Sequence, residues 1–185
     1  RTFASFIAQP IIEQMDRDSA ASRDILAALC SPLRIPPMRD EFWRHVPMDQ
    51  MTREEWEALC DGCGKCCLNK LEDEDTAEVA LTRVACRLFD DASCQCASYS
   101  TRRDHVPECI KLSPQSMADV AYFMPETCAY RLLHEGRPLH WWHPLISGER
   151  ASVHRAGISA LGSTVSELTV PEDDWEDYVI EEPGT

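Results

Sequence analysis

Four cysteines fall within eight residues, in the order Cys60-x2-Cys63-x2-Cys66-Cys67, and no other feature constrains the fold of this chain so strongly. Buried structural cysteines do not crowd into a polar, glycine-rich loop, because such a loop has no apolar surface to enclose them. Thiols three residues apart on a turn can face one point, as a metal centre requires. Gly62 and Gly64 permit the turn by accepting positive φ, and their amides can donate to sulfur. Lys65 adds positive charge that favours thiolate. The loop reads as a metal site.

Ten cysteines occur in all: Cys30, Cys60, Cys63, Cys66, Cys67, Cys86, Cys94, Cys96, Cys109 and Cys128. An even count also suits disulfides. Three features argue against them. The chain, at 185 residues, exceeds the usual disulfide-stapled scaffold. Arg1 to Ile12 is too short in apolar content and too polar for an export signal. The density of four in eight suits convergence on one centre.

Spacing narrows the chemistry. Cys60, Cys63 and Cys66 match the opening of a bacterial ferredoxin run, but the fourth cysteine of that run would fall at Lys70, with no proline after it. Zinc ribbons need two separated Cys-x2-Cys pairs, whereas a single series stands here with Cys94-Gln95-Cys96 downstream. An iron–sulfur centre is preferred over zinc, on the ferredoxin-like opening, the glycine amides and the surplus of thiols. Adjacent Cys66 and Cys67 are expected to diverge toward different irons. Taken singly, Cys86, Cys109 and Cys128 read equally as ligands or buried thiols.

Eighteen basic residues against 32 acidic ones give a net charge of -14, which repels phosphate backbones and argues against a nucleic-acid partner. No run of 18 apolar residues exists, so no membrane-spanning helix and no membrane partner are expected. A cytoplasmic protein is expected, with a protein partner of unknown identity compatible with the charge. Asp73 and Asp75 read as a solvated acidic turn rather than oxygen ligands. His143 reads as a packed histidine rather than a ligand. His105, His134, His140 and His154 show no zinc-finger spacing with a cysteine pair.

The predicted architecture is α+β: a small, irregular single domain around the cysteine-rich site, with short helices and a few antiparallel strands. Residues 1–37 form an N-terminal extension, with a helix over Asp18 to Cys30 and a stiff Ile35-Pro36-Pro37 linker. A start at Met38 is expected. Residues 38–180 form the cysteine-cluster domain and 181–185 an acidic tail. Thr52-Arg53-Glu54-Glu55 spells a capping box whose helix delivers Cys60 at its end. A strand runs from Val79 to near Cys86. Ser113-Pro114 opens a helix that Pro125 stops, and Thr127 caps another through Cys128 to Gly136. Trp141-Trp142-His143-Pro144-Leu145 is an aromatic knot against the core. Val153 to Val165 suggests a hairpin, and of the last fifteen, acidic residues the tryptophan and valine can dock while the end is expected to fray.

On these motifs the chain resembles the CxxCxxCC cysteine-cluster family of zinc- or iron-chelating domains, and more closely its YcgN-type subfamily of proteobacterial proteins. The likeness spans residues 39–180. It rests on Trp56-Glu57-Ala58-Leu59-Cys60-Asp61-Gly62-Cys63-Gly64-Lys65-Cys66-Cys67, Glu74-Asp75-Thr76, Val84-Ala85-Cys86-Arg87, Cys94-Gln95-Cys96, Cys109-Ile110-Lys111-Leu112, Thr127 to Leu133, Trp142-His143-Pro144-Leu145 and Trp175. The resemblance implies a metal site drawn from Cys60, Cys63, Cys66, Cys67, Cys86, Cys94, Cys96, Cys109 and Cys128, and it leaves out Cys30. The broader family includes flagellin lysine N-methylases whose cysteine cluster carries iron–sulfur, but only the cluster motif is shared, so that activity does not transfer. Three functions fit: an iron–sulfur protein, a structural zinc module that presents an acidic surface, or an enzyme that uses the centre for protein modification.

Overall fold

The computed structural model describes residues 38–181, which belong to one compact unit that starts at Met38. The expected helix over Asp18 to Cys30, the Ile35-Pro36-Pro37 linker and Cys30 itself lie outside the described residues. Every helix is short: α1 Phe42–His45, α2 Arg53–Ala58, α3 Arg102–His105, α4 Met117–Val120, α5 Ala129–His134, α6 Pro144–Ser147 and α7 Ser152–Arg155. The strands are β1 Leu68–Glu72, β2 Val79–Ala85, β3 Phe89–Asp90, β4 Gln95–Cys96, β5 Val165–Ser166 and β6 Val179–Ile180. This is the expected α+β class.

The capping box exists as the sequence spells it. Thr52 Oγ1 accepts the Glu55 amide at 3.2 Å, and Glu55 Oε2 accepts the Thr52 amide at 2.9 Å. Glu55 is nevertheless fully buried, because Arg39 reaches over it: the Arg39 amide and Nε both donate to Oε1 at 2.9 Å. The hydrogen-bonded guanidinium holds the Glu55 carboxyl down at about 2. One carboxylate therefore caps α2 and ties down the start of the described chain.

Strand β2 is central. It pairs antiparallel with β1 and β6 and parallel with β5 over Val84 and Ala85. Strand β1 was hidden in the sequence by its acidic neighbours. The run from Asp73 to Asp75 is the turn of the β1–β2 hairpin, where Asp73 Oδ1 accepts the Thr76 amide at 2.8 Å and the Asp75 amide at 3.0 Å. The acidic residues are thus exposed turn formers. A second small sheet, β3–β4, pairs Phe89 with Cys96.

Three local expectations are corrected. Residues 114–116 form turns, so the helix begins at Met117 and not at Pro114. Cys128, rather than Thr127, is the N-cap of α5. The Val153 to Val165 hairpin does not form: Val153 is buried in the single helical turn α7, and Gly157 and Gly162 turn the chain at φ of 70° and 67°. The β-branched side chain there serves packing rather than strand pairing. The acidic end docks in part, as Trp175 Nε1 donates to the Val170 carbonyl and β6 joins the sheet.

Three hydrophobic clusters hold the elements together. Phe42, Leu59, Met117, Met124 and Tyr130 join α1, α2, α4 and α5. Leu68, Leu81, Ala85 and Ala160 back the sheet. Trp142, Val153 and Ile158 form the third. Each full burial, such as Leu59 or Phe42, contributes about 2 kcal/mol. Each cluster also contains one cysteine, namely Cys128, Cys94 and Cys63, so the thiol region lies where the three clusters meet.

Removing the cap hydroxyl in Thr52→Ala is expected to cost about 1 kcal/mol in urea unfolding. Glu55→Ala is expected to cost more, because it also strands Arg39. Equal losses in the two variants would show that the buried carboxylate does nothing beyond capping.

Candidate metal centre

Helix α2 ends at Leu59, which is fully buried, and so sets Cys60 at the rim of the core. The next residues turn by positive φ at Gly62 (77°) and Gly64 (75°). A single 3-10 turn, Lys65–Cys67, then feeds directly into β1. Within this loop the Asp61 carboxylate accepts the Cys63 amide at 3.0 Å. The Cys63 carbonyl accepts the Ala160 amide at 2.8 Å and the Cys94 thiol at 3.3 Å. Gly64 is the tightest point of the loop: a Cβ there would stand 2.7 Å from Cys94 Sγ and 2.8 Å from the Phe89 ring.

The remaining cysteines arrive from four places. Cys86 follows β2 and its amide donates to the Cys67 carbonyl at 2.9 Å, so the two residues face each other across the open end of the hairpin. Cys96 lies in β4, opposite Phe89. Cys109 follows α3 in irregular chain. Cys128 caps α5, next to Thr127, whose Oγ1 lies 3.5 Å from Lys65 Nζ.

The electrostatics of the sulfurs report which of them are neighbours. Burial raises the Cys60 thiol, with Cys66 and Cys128 adding to the effect, although Cys60 keeps exposed surface. Burial pushes Cys63 well up, with Asp61, Cys128, Cys66 and Cys60 adding to it. Cys128 is pushed up to about 12 by burial, with the nearby Arg131 and Tyr130 amides opposing the rise. Cys66 is lowered, because the Cys67 thiol donates to it and the Lys70 ammonium lies nearby; Cys67 is correspondingly raised. Cys86 is raised by burial, with Glu167, Cys109 and Cys96 adding to it and the Leu88 amide opposing it.

Cys94 differs from the others. It is 2% exposed, packs with Leu68, Leu81 and Ala85, and donates its proton to the Cys63 carbonyl. His143 is packed as expected: Nδ1 accepts the Leu145 amide at 3.1 Å, so Nε2 carries the proton toward the Leu59 carbonyl at 3.0 Å. Neither ring nitrogen is left for a metal. Two further residues escaped sequence reasoning. Asp61 is buried among the thiols, and the His140 ring stacks on Trp142 with its Nε2 buried and without a hydrogen-bond partner among the described residues. No spacing rule could have found His140, whose placement depends on the stack.

As a donor set these residues suit a thiophilic metal group: free thiols stand in the loop after α2, at the β1–β2 and β3–β4 pairings, after α3 and at the start of α5, with Cys86 and Cys67 joined by a 2.9 Å backbone hydrogen bond. Among the described residues no three His, Cys, Asp or Glu side chains converge tightly enough, as they stand, to hold a metal ion.

Comparison with known proteins agrees with this donor chemistry. The CxxCxxCC family, described as "Putative zinc- or iron-chelating domain", matches residues 59–129, a span that includes all nine cysteines from Cys60 to Cys128. A UPF0260 protein of Rhodobacter capsulatus is 59% identical over 145 residues, covering 78% of this chain and 97% of its own. UPF0260 proteins of Allorhizobium ampelinum and Agrobacterium fabrum are each 54% identical, covering 79% and 78% of this chain and 91% and 88% of their own. No solved structure matches the chain.

The glycine geometry yields a graded expectation. Gly62→Ala meets open space and carries only the left-handed penalty, about 1 kcal/mol, whereas Gly64→Ala adds a clash with Cys94 and Phe89. Thermal unfolding and bound metal per chain should both fall further in Gly64→Ala than in Gly62→Ala. Equal effects would mean that the loop is not packed against Cys94 as described.

Proposed function

The chain belongs to the UPF0260 family, and from its CxxCxxCC zinc- or iron-chelating domain we propose that it is a cytoplasmic metal-binding protein whose thiols hold an iron–sulfur centre. The observation that carries this reading is the state of the sulfurs. Among the described residues nine free thiols stand on the loop after α2, the two strand pairings, the chain after α3 and the start of α5, a soft donor set suited to a thiolate-bound cluster. A tetrahedral zinc with Zn–S bonds of about 2.3 Å would draw its thiolates to about 3.8 Å of one another. A polynuclear cluster spreads its thiolates over several irons and draws on more thiols than a single zinc ion does, which suits these nine.

Such a centre would supply one-electron chemistry or a structural cross-link. The chain's own contribution is to bury Cys63 and Cys128, leave Cys60 and Cys66 exposed and place Lys70 near Cys66. The charge of -14 supports a basic protein partner rather than a nucleic acid. No helix among the described residues is long and apolar enough to cross a membrane.

Protein purified without oxygen is expected to be brown and to contain iron with a matching amount of acid-labile sulfide. Cys63→Ser is expected to lose metal and thermal stability together, because metal binding in such sites is worth ~10 kcal/mol of folding free energy. Colourless protein with stoichiometric zinc and no sulfide would replace this reading with a structural zinc module.

A further inference from the structure

A cavity of about 600 Å³ lies between the end of α1 and the chain that links α5 to α6, and no cysteine lines it. Its volume is that of sites which enclose small organic molecules. We propose that this cavity binds an organic anion with an apolar body and a single carboxylate head. The site is separate from the thiols, and the proposal does not depend on the metal-binding reading.

Both walls are fixed by the core. Phe42 is buried and anchors α1, and its ring meets that of Trp43 edge-on at 5.3 Å. The Val46 amide closes α1 on the Phe42 carbonyl at 2.9 Å. On the opposite wall Leu132 is buried, and Gly136 turns the chain at φ of 70°. The Arg137 amide then donates back to the Leu132 carbonyl at 2.7 Å, which closes the end of α5. A cavity built in this way exists before a ligand arrives, so binding does not have to order it.

The lining divides by chemistry. Trp43, Met48 and Leu133 form an apolar wall and pack at the same time on the first hydrophobic cluster. Leu139 and Ile146 extend that wall. The titratable lining residues are Arg44, His45 and Arg137, and no carboxylate among the described residues lines the cavity. The chain has 32 acidic residues against 18 basic ones, so this lining inverts the charge of the molecule as a whole. An anion repelled by the rest of the surface is attracted here.

The arginine pairing selects the head group. Arg44 Nε stands 3.1 Å from Glu41 Oε1, and Arg137 Nη1 stands 3.2 Å from Glu135 Oε2. Neither glutamate lines the cavity. Each guanidinium has further N–H donors beyond the one engaged, and both side chains are more than a third exposed, which puts them at the mouth. The two glutamates offset part of the positive charge. One added negative charge therefore suits the mouth, as on a carboxylate, better than the two of a phosphate dianion. Burial against the apolar wall holds the body of the ligand.

The test titrates the full chain by calorimetry with sodium octanoate, octan-1-ol and octylammonium chloride, three probes that share one apolar body. Octanoate is expected to bind once per chain, with the other two about tenfold weaker or more, since charge-assisted hydrogen bonds separate them. The double variant Arg44→Gln, Arg137→Gln is expected to lose about tenfold in octanoate affinity for the same reason. Ile146→Glu places a carboxylate in the lining at a position already 41% exposed, and should weaken octanoate and favour octylammonium. Arg103→Gln, exposed and outside the lining, should bind octanoate as the wild type does. The proposal is overturned if octanoate does not bind, if octan-1-ol binds as tightly, if affinity is unchanged in the double variant or in Ile146→Glu, or if Arg103→Gln loses as much as the double variant. Metal content measured on the same samples reports on the thiols separately.

Discussion

The Cys63 carbonyl holds the thiol region in place. It accepts the Ala160 amide from the chain beyond α7 and the Cys94 thiol from the β3–β4 hairpin, so three distant segments meet at one backbone oxygen. The loop has little apolar side chain of its own and cannot fold by burial. It is positioned by this oxygen, by the Asp61 carboxylate on the Cys63 amide, and by Leu59 anchoring its entry. Gly64 is the consequence of that pinning: with Cys94 and Phe89 so near, any side chain at this position would push the loop off its anchor.

The same crowding explains the chemistry. Burial raises the Cys60, Cys63 and Cys128 thiols, which adds to the cost of the deprotonation that metal binding requires. The amides of Gly62 and of the first α5 turn offset part of that cost by stabilising thiolate once it forms. Lys70 does the same at Cys66. Metal binding and local folding are therefore two descriptions of one equilibrium.

The features legible in the sequence were the local ones. The capping box at Thr52 and Glu55 is four residues of backbone geometry, and it formed as spelled. The α+β class and the cysteine loop were readable for the same reason. The partners of Glu55, Cys94 and His140 were not, because each depends on a residue or ring that only tertiary structure brings near. Strand β1 was masked by the acidic turn that follows it, and the Val153 region misled because β-branched residues also pack well inside a single helical turn. For Lys65, sequence reasoning supplied a charge beside the thiols; the structure buries it against Thr127, and Lys70 is the lysine whose field lowers Cys66.

The account makes the bound metal part of the fold of the cysteine segments, and amide hydrogen exchange measures that directly. Comparing loaded and metal-stripped protein, exchange over residues 60–67 and 86–96 should accelerate sharply on stripping, while the helix Arg53–Ala58, held by its capping box and the Arg39–Glu55 pair, keeps its protection. Equal protection of residues 60–67 and 86–96 in the two forms would contradict the claim that these segments need metal to fold.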